Sequence, residues 1–410
     1  MANEKYSRWQ YEIVKKALKS RRVLILVGPR QCGKTTLAKE IASSNTIYRT
    51  LDDATLLDAA LNDPQGFVRH GNELMIVDEV QRAPLLLQSI KQDVDIHQTP
   101  GRYLLTGSAN IQSLPHVSES LAGRVRNIRL RPLARGEINH NQPNFLKNAF
   151  SEIFVGTDQN DDKDAYISYA LEGGYAEPRN LEKSERQRWH QDYLEALISR
   201  DLKDIINIRR QDSMGKLLEV LAAWSSKFID ISAIGANLAL ARQTIESYIN
   251  ALEALYLVER VRAWSKTDYD RVTKQDKLFM TDTGAMSAIL RWKLDTVRLD
   301  GDKSGKLLET FVFTQLAAHI DAKEGSYQLY HYRDREKREI DFIIETEEGD
   351  ILGIEVKAGS VVSNDSFKHL KWFKEHITKH NKFIGLVLYT GANVVRFGEN
   401  MWAVPINILF

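Results

Sequence analysis

Short apolar runs that alternate with helical patterns dominate the first third of the chain. Three continuous runs, RVLILVG, ELMIVDE and RYLLTG, begin at residues 22, 73 and 102. Runs of this length and composition are typical of strands that are buried on both faces of a parallel sheet. The segment KTTLAKEIASS, which follows the first run, instead places Leu37, Ala38 and Ile41 at helical spacing. The pattern predicts an α/β fold whose first domain, residues 1–138, is built on a parallel sheet.

After residue 138 the strand pattern gives way to helical periodicity. Residues 139–214 combine polar loops with helical segments, which predicts a helical lid or linker. In residues 215–265, three helical patterns run into a β-branched segment. The third helix would turn four apolar residues inward: Ile245, Ile249, Leu252 and Leu255. Three helices that end in a strand predict a winged helix-turn-helix.

The last third, residues 266–410, returns to a strand pattern. The segment EIDFIIETEEGDILGIEVKAG, residues 339–359, alternates on both sides of a polar turn that contains Gly349. We expect an antiparallel hairpin, because side chains alternate along each strand. Glu355 and Lys357 then share one face of their strand. Pairing of IDF with IEV can bring Asp341 beside both of them.

Composition indicates the class of protein but does not indicate what the protein binds. The chain has 410 residues, of which 43% are hydrophobic and 27% charged, and its net charge is +1. These values indicate a soluble protein and give no global argument for nucleic acid. No apolar run approaches the roughly 20 residues of a membrane span, and the N-terminal segment lacks a signal-peptide pattern. The single cysteine, Cys32, excludes an internal disulfide. We therefore expect a cytoplasmic protein without a membrane partner.

The most specific motif is GPRQCGKTT, which follows the first apolar run and opens a helical pattern. It satisfies the G-x-x-x-x-G-K-[ST] pattern of a phosphate-binding P-loop. Backbone N–H groups of the loop and the helix N-terminus would surround the phosphates of ATP. Lys34 would reach the β- and γ-phosphates, and Thr35 would ligate Mg²⁺. The predicted nucleotide-binding residues are Gly28, Pro29, Arg30, Gln31, Cys32, Gly33, Lys34, Thr35 and Thr36.

Two later strands end in residues that suit ATP hydrolysis. Asp78 closes the second apolar run, where it would hold Mg²⁺ through water, and Glu79 would activate the attacking water. Ser108, after the third run, is the preferred sensor of the γ-phosphate, with Thr106 and Asn110 as alternatives. Arg124 or Arg126 could stabilise the transition state in a neighbouring subunit. The alternative for these arginines is an ion pair with an acid of the same chain.

Together these motifs resemble those of a known family. GPRQCGKTT, MIVDEVQRAP, LLTGSAN and SLAGRVRNIRLRPL, in this order, resemble bacterial and archaeal AAA+ ATPases that carry an extra C-terminal region. The resemblance implies ATP hydrolysis and assembly into a ring or another homo-oligomer, with ATP at the subunit interfaces. It also makes Arg124 the best match to the arginine finger of the family.

Four residues of the last third point to a divalent cation. Glu309 lies among apolar neighbours on a predicted helix, where a carboxylate is costly to bury unless it is paired or bound to a cation. With Asp341 and Glu355 it could bind Mg²⁺ or Mn²⁺, and Lys357 could act on an attacked phosphate. The order of the four residues resembles the PD-(D/E)xK nuclease fold, although Ile340 stands where that motif has proline. The alternative is that the acids pair with Arg333, Arg335 or Arg338.

The third helix of the predicted winged helix supplies the residues that could contact DNA. Its outward positions include Arg242, Gln243, Thr244 and Ser247, whose side chains can contact phosphates or base edges. The combined reading is an oligomeric AAA+ ATPase that acts on duplex or branched DNA, with metal-dependent cleavage as a further activity of the nuclease-like region. The alternative is an ATP-dependent switch that binds protein or DNA without cutting.

Overall fold

A computed structural model of the chain describes residues 6–107, 123–156, 161–202, 211–236, 238–267, 271, 274–323, 325–378 and 381–410. The chain divides into two compact units. The first comprises Met1–Leu133, Ser199–Ile208 and Asn250–Leu257, and the second comprises Ala134–Ile198, Arg209–Ile249 and Val258–Phe410. No helix of the described residues is both long enough and apolar enough to cross a membrane.

A five-stranded sheet forms the centre of the first unit, as far as its residues are described. Its strands are β1 (Val23–Val27), β2 (Ile47–Thr50), β3 (Met75–Asp78), β4 (Tyr103–Gly107) and β5 (Val125–Arg129). They lie in the order β2-β3-β4-β1-β5, and every adjacent pair is parallel. Val23, Ile25 and Val27 enter one apolar cluster, while Leu24 and Leu26 enter another. The apolar run thus covers both faces of the sheet, which confirms the predicted parallel-sheet core.

Helices connect these parallel strands. They span Gln10–Leu18, Lys34–Ile41, Ala54–Asn62, Pro64–Val68 and Leu86–Ile96, with a 3₁₀ turn at Val80–Arg82. The helix Lys34–Ile41 follows β1 directly through the predicted P-loop. The strand ends that carry Asp78 and Gly107 therefore share the edge of the sheet at which the P-loop lies.

The second unit contains a nine-stranded sheet in its described part. Its strands are β6 (Lys227–Phe228), β7 (Val258–Ala263), β8 (Lys277–Met280), β9 (Tyr327–Arg333), β10 (Glu339–Thr346), β11 (Ile351–Lys357), β12 (Phe383–Tyr389), β13 (Val395–Gly398) and β14 (Met401–Pro405). Their order is β13-β14-β12-β11-β10-β9-β7-β8-β6. The predicted hairpin is present, because β10 and β11 pair antiparallel with Phe342 opposite Ile354. The domain boundary that we predicted at residue 265 falls between β7 and β8, which are hydrogen-bonded neighbours.

The helices of the second unit include one long central helix, Gly301–Asp321. The others span Arg135–Ile138, Phe145–Phe150, Lys163–Glu172, Ala176–Arg179, Lys183–Ala196, Gln211–Trp224, Ile231–Gly235, Arg242–Ala254 (whose last turn belongs to the first unit), Thr283–Ile289, Leu294–Arg298 and Lys368–His376. A π-helical turn lies at Leu197–Asp201, and 3₁₀ turns lie at Asn364–Phe367 and Ile406–Leu409.

Apolar side chains cover both faces of the sheet around the hairpin. Phe342 and Ile354 join one cluster together with Phe311 of the long helix, whereas Ile343 joins a second cluster with Phe373. This alternation follows from the two-residue period of a strand. A β-bulge between Ile340 and Ile343 interrupts it beside Asp341, so that both isoleucines join the same cluster.

Three helices precede β7, as the sequence predicts. They are Gln211–Trp224, Ile231–Gly235 and Arg242–Ala254, and Asp230 caps the second by accepting from the N–H groups of Ser232 and Ala233. The four residues predicted to turn inward are buried: Ile245, Ile249, Leu252 and Leu255. The helical pattern therefore predicted the buried positions of the third helix correctly.

Candidate functional sites

The P-loop lies between β1 and the helix Lys34–Ile41. Gly28 has φ of +152°, and a Cβ atom there would lie 2.0 Å from the carbonyl oxygen of Leu130. Gly33 is the N-cap residue of the helix Lys34–Ile41 and has a left-handed backbone with φ of +97°. It makes no side-chain hydrogen bond to the first turn of the helix. Glycine is needed at both places, because other residues are strained there. The N–H groups of the first helical turn are thus left for an anionic ligand.

Lys34 is buried within the loop that precedes it. Its ammonium group donates to the carbonyl oxygens of Gly28 at 3.0 Å and Pro29 at 2.7 Å. Arg8, which sequence patterns did not single out, donates to the carbonyl oxygens of Cys32 and Arg131 at 2.6 Å each. The guanidinium group of Arg8 therefore ties the loop to the segment after β5. No local pattern could have indicated this, because the three residues lie far apart in sequence.

Asp78 is the centre of a buried hydroxyl cluster at the end of β3. The Thr35 hydroxyl lies 3.0 Å from both carboxylate oxygens, and the Tyr48 hydroxyl donates to Oδ2 at 2.9 Å. The Thr106 hydroxyl donates to Oδ1. Burial, and then the hydrogen bond to Asp78, raises the pKa of Tyr48. The structure thus brings together Thr35 and Asp78, the two predicted magnesium-binding residues of the P-loop site.

Glu79 follows Asp78 in a left-handed conformation, with φ of +59°. Its backbone N–H donates to the Thr106 hydroxyl at 3.0 Å, and its side chain accepts from Gln81. Left-handed backbone at a residue other than glycine costs free energy and is concentrated at functional sites. Thr106, an alternative for the sensor in the sequence, contacts both Asp78 and Glu79.

The remaining predicted residues of this site differ in their surroundings. Arg30, Gln31 and Thr36 are exposed, whereas Pro29 and Cys32 are buried. Ser108, the predicted sensor, and its alternative Asn110 lie outside the described residues. Arg124 forms an ion pair with Asp95 of the same chain, the alternative that the sequence left open for it, and Arg126 lies on β5.

A second polar cluster lies at the open end of the hairpin in the second unit. Its centre is Lys277 of β8, a residue that the sequence analysis did not consider. The Lys277 ammonium donates to Glu309 Oε1 at 2.6 Å and to Glu339 Oε1 at 2.9 Å, and lies 3.7 Å from Asp341 Oδ1. The predicted carboxylates Glu309 and Asp341 thus share one ammonium group.

The hairpin contributes the other members of this cluster. Asp341 accepts from the backbone N–H of Val356 at 2.8 Å, and Lys357 donates to Glu355 Oε2 at 2.9 Å. The second oxygen of Glu355, Oε1, is buried and has no hydrogen-bond partner among the described residues. The strand pairing thus brings Asp341 beside Glu355 and Lys357, and Lys277 links Asp341 to Glu309 of the long helix.

Burial and mutual repulsion shift the titration of these groups. Burial, and then the charge of Asp341, raises the pKa of Glu355 to about 8. Burial also raises the pKa of Glu309 to about 7, although Lys277 opposes that shift. For Lys277 itself, burial lowers the pKa, but the charges of Glu309, Asp341 and Glu339 outweigh burial and raise it. Lys277 is thus held as a cation in a dry, acidic environment.

The residues present fit a divalent cation poorly. Among the described residues, no group of three or more His, Cys, Asp or Glu side chains has the arrangement of a metal site. The position that faces Glu309, Glu339 and Asp341 is taken by the Lys277 ammonium. The arginines that the sequence offered as alternative partners, Arg333, Arg335 and Arg338, do not form ion pairs with these acids among the described residues. Arg338 pairs with Asp334 and Glu336 instead.

A basic cleft of about 660 Å³ opens beside this cluster. Phe228 links the two, since the Lys277 ammonium lies 5.7 Å and the Arg333 guanidinium 4.4 Å from the centre of its ring. Lys274, Arg335 and Arg338 also line the cleft, together with Asp334 and Glu336, which pair with Arg338. Among the described residues, neither Arg333 nor Arg335 forms an ion pair. The cleft thus offers arginine side chains to an anionic partner.

The predicted DNA-contacting residues lie at the start of the helix Arg242–Ala254. Arg242, Gln243 and Ser247 are exposed, and Thr244 is half-buried. The Arg242 guanidinium donates to Glu246 at 2.9 Å, which reduces the positive charge that this helix presents. The positions are accessible as predicted, but the helix offers less positive charge than the cleft does.

Three segments of the chain are similar to known protein families. Residues 20–139 match the AAA domain, and residues 163–296 and 304–409 match two domains of unknown function, DUF8612 and DUF4143. Uncharacterized proteins of Mycobacterium tuberculosis and Mycobacterium bovis are each 27% identical over 354 residues, which cover 85% of this chain and 73% of theirs. The Walker-type ATPase of Pyrococcus abyssi is 12% identical, covering 68% of this chain and 94% of its own, with a TM-score of 0.42. The N-terminal region of the chain, residues 20–139, is similar to the AAA domain family.

Proposed function

We propose that this chain binds ATP with Mg²⁺, hydrolyses it, and uses the turnover to act on DNA. The observation that carries the proposal is the contact of the Thr35 hydroxyl with both oxygens of Asp78, directly beside the P-loop. Thr35 begins the helix after the loop, and Asp78 ends a neighbouring parallel strand. This is the pairing that P-loop ATPases use to hold Mg²⁺.

Each residue of the site has a distinct task in this proposal. Lys34 leaves the carbonyl oxygens of Gly28 and Pro29 and binds the β- and γ-phosphates. Thr35 and Asp78 would hold Mg²⁺, which would supply positive charge to the phosphate oxygens. Glu79 orients and deprotonates the attacking water. Ser108 senses the γ-phosphate, and Thr106 keeps Asp78 and Glu79 in place through its two hydrogen bonds.

Assembly completes the site in this proposal. Arg124 of a neighbouring copy would stabilise charge on the transferred phosphate. Because Arg124 is bound to Asp95 within the chain, assembly must exchange this exposed ion pair for the phosphate. Exposed ion pairs contribute only about 0–1 kcal/mol, so the exchange is energetically accessible. Arg126 is the alternative finger. We also propose that the protein acts in the cytoplasm.

DNA binding is assigned to the second unit. The cleft beside the hairpin carries Lys274, Arg333 and Arg335, which suit the phosphates of duplex or branched DNA. The winged-helix residues Arg242, Gln243, Thr244 and Ser247 supply further contacts. Cleavage with Mg²⁺ or Mn²⁺ at Glu309, Asp341, Glu355 and Lys357 is not included, because the Lys277 ammonium already occupies the position that faces Glu309, Glu339 and Asp341. The proposal therefore combines the predicted ATPase with DNA binding that does not require cutting.

Glu79→Gln tests the ATPase most simply. The substitution removes the base but keeps a side chain that can accept from Gln81, so ATP should still bind while phosphate release falls by at least about 100-fold. Release of phosphate and binding of a fluorescent ATP analogue would be measured with the purified full chain. Glu73→Gln, at an exposed carboxylate before β3, is the matched control and should retain both properties. Wild-type turnover in Glu79→Gln, or no ATP binding by the wild type, would refute the proposal.

A further inference from the structure

We propose that Lys277 is a built-in cation of the second unit, whose ammonium group takes the position that a divalent metal ion would take among Glu309, Glu339 and Asp341. In this arrangement the Lys277 ammonium, and not a metal ion, supplies the positive charge at the centre of the acidic cluster. The inference does not depend on ATP hydrolysis or on DNA binding, since it concerns only how these carboxylates are neutralised.

The three contacts of Lys277 place one positive charge at a shared centre. Its Nζ lies 2.6 Å from Glu309, 2.9 Å from Glu339 and 3.7 Å from Asp341. An ammonium group has three donors and can serve several carboxylates at once. A metal ion bound by the same oxygens would meet this ammonium group within a few ångströms and would be repelled.

Strand pairing on both sides fixes the backbone of Lys277. Lys277 is aligned with Phe228 of β6 on one side and with Val261 of β7 on the other. Its side chain is only 2% exposed. The backbone is thus held on both sides, and turning the side chain away would leave buried carboxylates without their counter-charge.

The neighbouring carboxylate of Glu355 supplies an oxygen that could bind a cation if the Lys277 charge were removed. Glu355 is nine-tenths buried, and its Oε1 atom has no hydrogen-bond partner among the described residues. Asp341 and Glu355 lie on the paired strands of the hairpin, with Asp341 bound to the N–H of the residue that follows Glu355. Removal of the Lys277 charge should therefore leave enough oxygen ligands to bind a hard divalent cation.

Manganese binding to the nucleotide-free full chain tests this inference. Free Mn²⁺ would be followed by electron paramagnetic resonance during titration of wild type, Asp341→Asn and Lys277→Met. We expect no Mn²⁺ site in wild type that depends on Asp341. Lys277→Met should gain one site at least tenfold tighter than any site of wild type, and adding Asp341→Asn should abolish it. Thermal unfolding with Mn²⁺ or with EDTA gives a second readout, in which only Lys277→Met gains stability from the metal.

Loss of Lys277 could leave too many buried carboxylates for the chain to fold. The double variant Lys277→Met with Glu309→Gln removes one carboxylate together with the lysine and should restore folding while keeping Asp341 and Glu355. A wild-type Mn²⁺ site that Asp341→Asn removes would overturn the inference, whichever variants fold. A folded Lys277→Met chain, single or double, that gains no Mn²⁺ site would overturn it as well.

Discussion

Lys34 and Lys277 are both buried lysines, and the partners of each decide what it can do. Lys34 donates to two uncharged carbonyl oxygens, which a phosphate group can replace because an ammonium group binds an anion more strongly than a neutral acceptor. Lys277 contacts carboxylates that would be left buried without a counter-charge if it moved. The first lysine is therefore available to a ligand, and the second is committed to the fold.

His319 makes a prediction about stability at acidic pH. It is buried in the long helix, its Nε2 atom donates to the Leu409 carbonyl at 2.9 Å, and burial lowers its pKa from 6.5 to about 4. A depressed pKa means that the unfolded chain binds the proton first, so stability is complete above pH 6.5 and falls as pH drops toward 4. The loss from this residue is on the order of 3 kcal/mol.

His319→Gln removes this titration but keeps a side chain that can donate to Leu409. Urea unfolding of the full chain at pH 7.5, 5.5 and 4.5 would show the effect as a smaller loss of stability in the variant between the first and last pH. Equal losses in the variant and wild type would assign the acid sensitivity to other groups.

At the residue scale, sequence patterns identified side chains whose spacing is dictated locally. Lys34 and Thr35 follow from the P-loop, and Asp78 follows from its place at the end of an apolar strand. Arg8, Tyr48 and Lys277 were missed, because each acts through partners brought near only by the fold. In the sequence, Lys277 is the one charged residue of the apolar strand KLFM, which suggests a buried charge. The sequence does not indicate that Glu309 is its partner.

At the scale of elements, the P-loop depends on a close approach between two segments. Gly28 follows β1, and a Cβ atom there would meet the backbone oxygen of Leu130, which follows β5. The Leu130 N–H in turn donates to Val27 at 2.8 Å, so the two segments cannot separate without loss of sheet pairing. Any side chain at residue 28 must therefore move the loop.

Gly28→Ala should weaken ATP binding by at least about tenfold, because the loop shifts away from its phosphate-binding position. Binding of a fluorescent ATP analogue would be measured by titration. Gly305→Ala is the matched control, since its position in the long helix has no atom within 4 Å of the added Cβ and alanine favours helix. Unchanged ATP affinity in Gly28→Ala would show that the loop tolerates the added methyl group.

Strand patterns predicted individual elements better than their arrangement. The apolar runs of the first unit and the hairpin of the second followed from residue periodicity, because burial on one or both faces is a local property of the sequence. The nine-stranded order did not follow, because it requires β7 to pair in parallel with β9 across a long intervening segment. Pairings of that kind depend on long-range contacts that leave no repeated pattern in the sequence.

At the scale of the whole molecule, the proposed ATP site lies in one unit and the basic cleft lies in the other. The net charge of +1 conceals this cleft, where Lys274, Arg333, Arg335 and Arg338 outnumber the acids Asp334 and Glu336. If the cleft binds DNA through phosphates, binding must weaken as salt is raised. A link between the two units would appear as a change in ATP turnover when DNA is bound.

The most direct test of this account is ATP turnover by the full chain with and without duplex, branched and single-stranded DNA. We predict that duplex or branched DNA changes the turnover of wild type at low salt and that the effect declines as salt is raised. The double variant Arg333→Glu with Arg335→Glu should lose most of the effect, and Lys293→Glu, an exposed lysine outside the cleft, should keep it. Turnover that no DNA alters, together with no DNA binding by the wild type, would contradict the account.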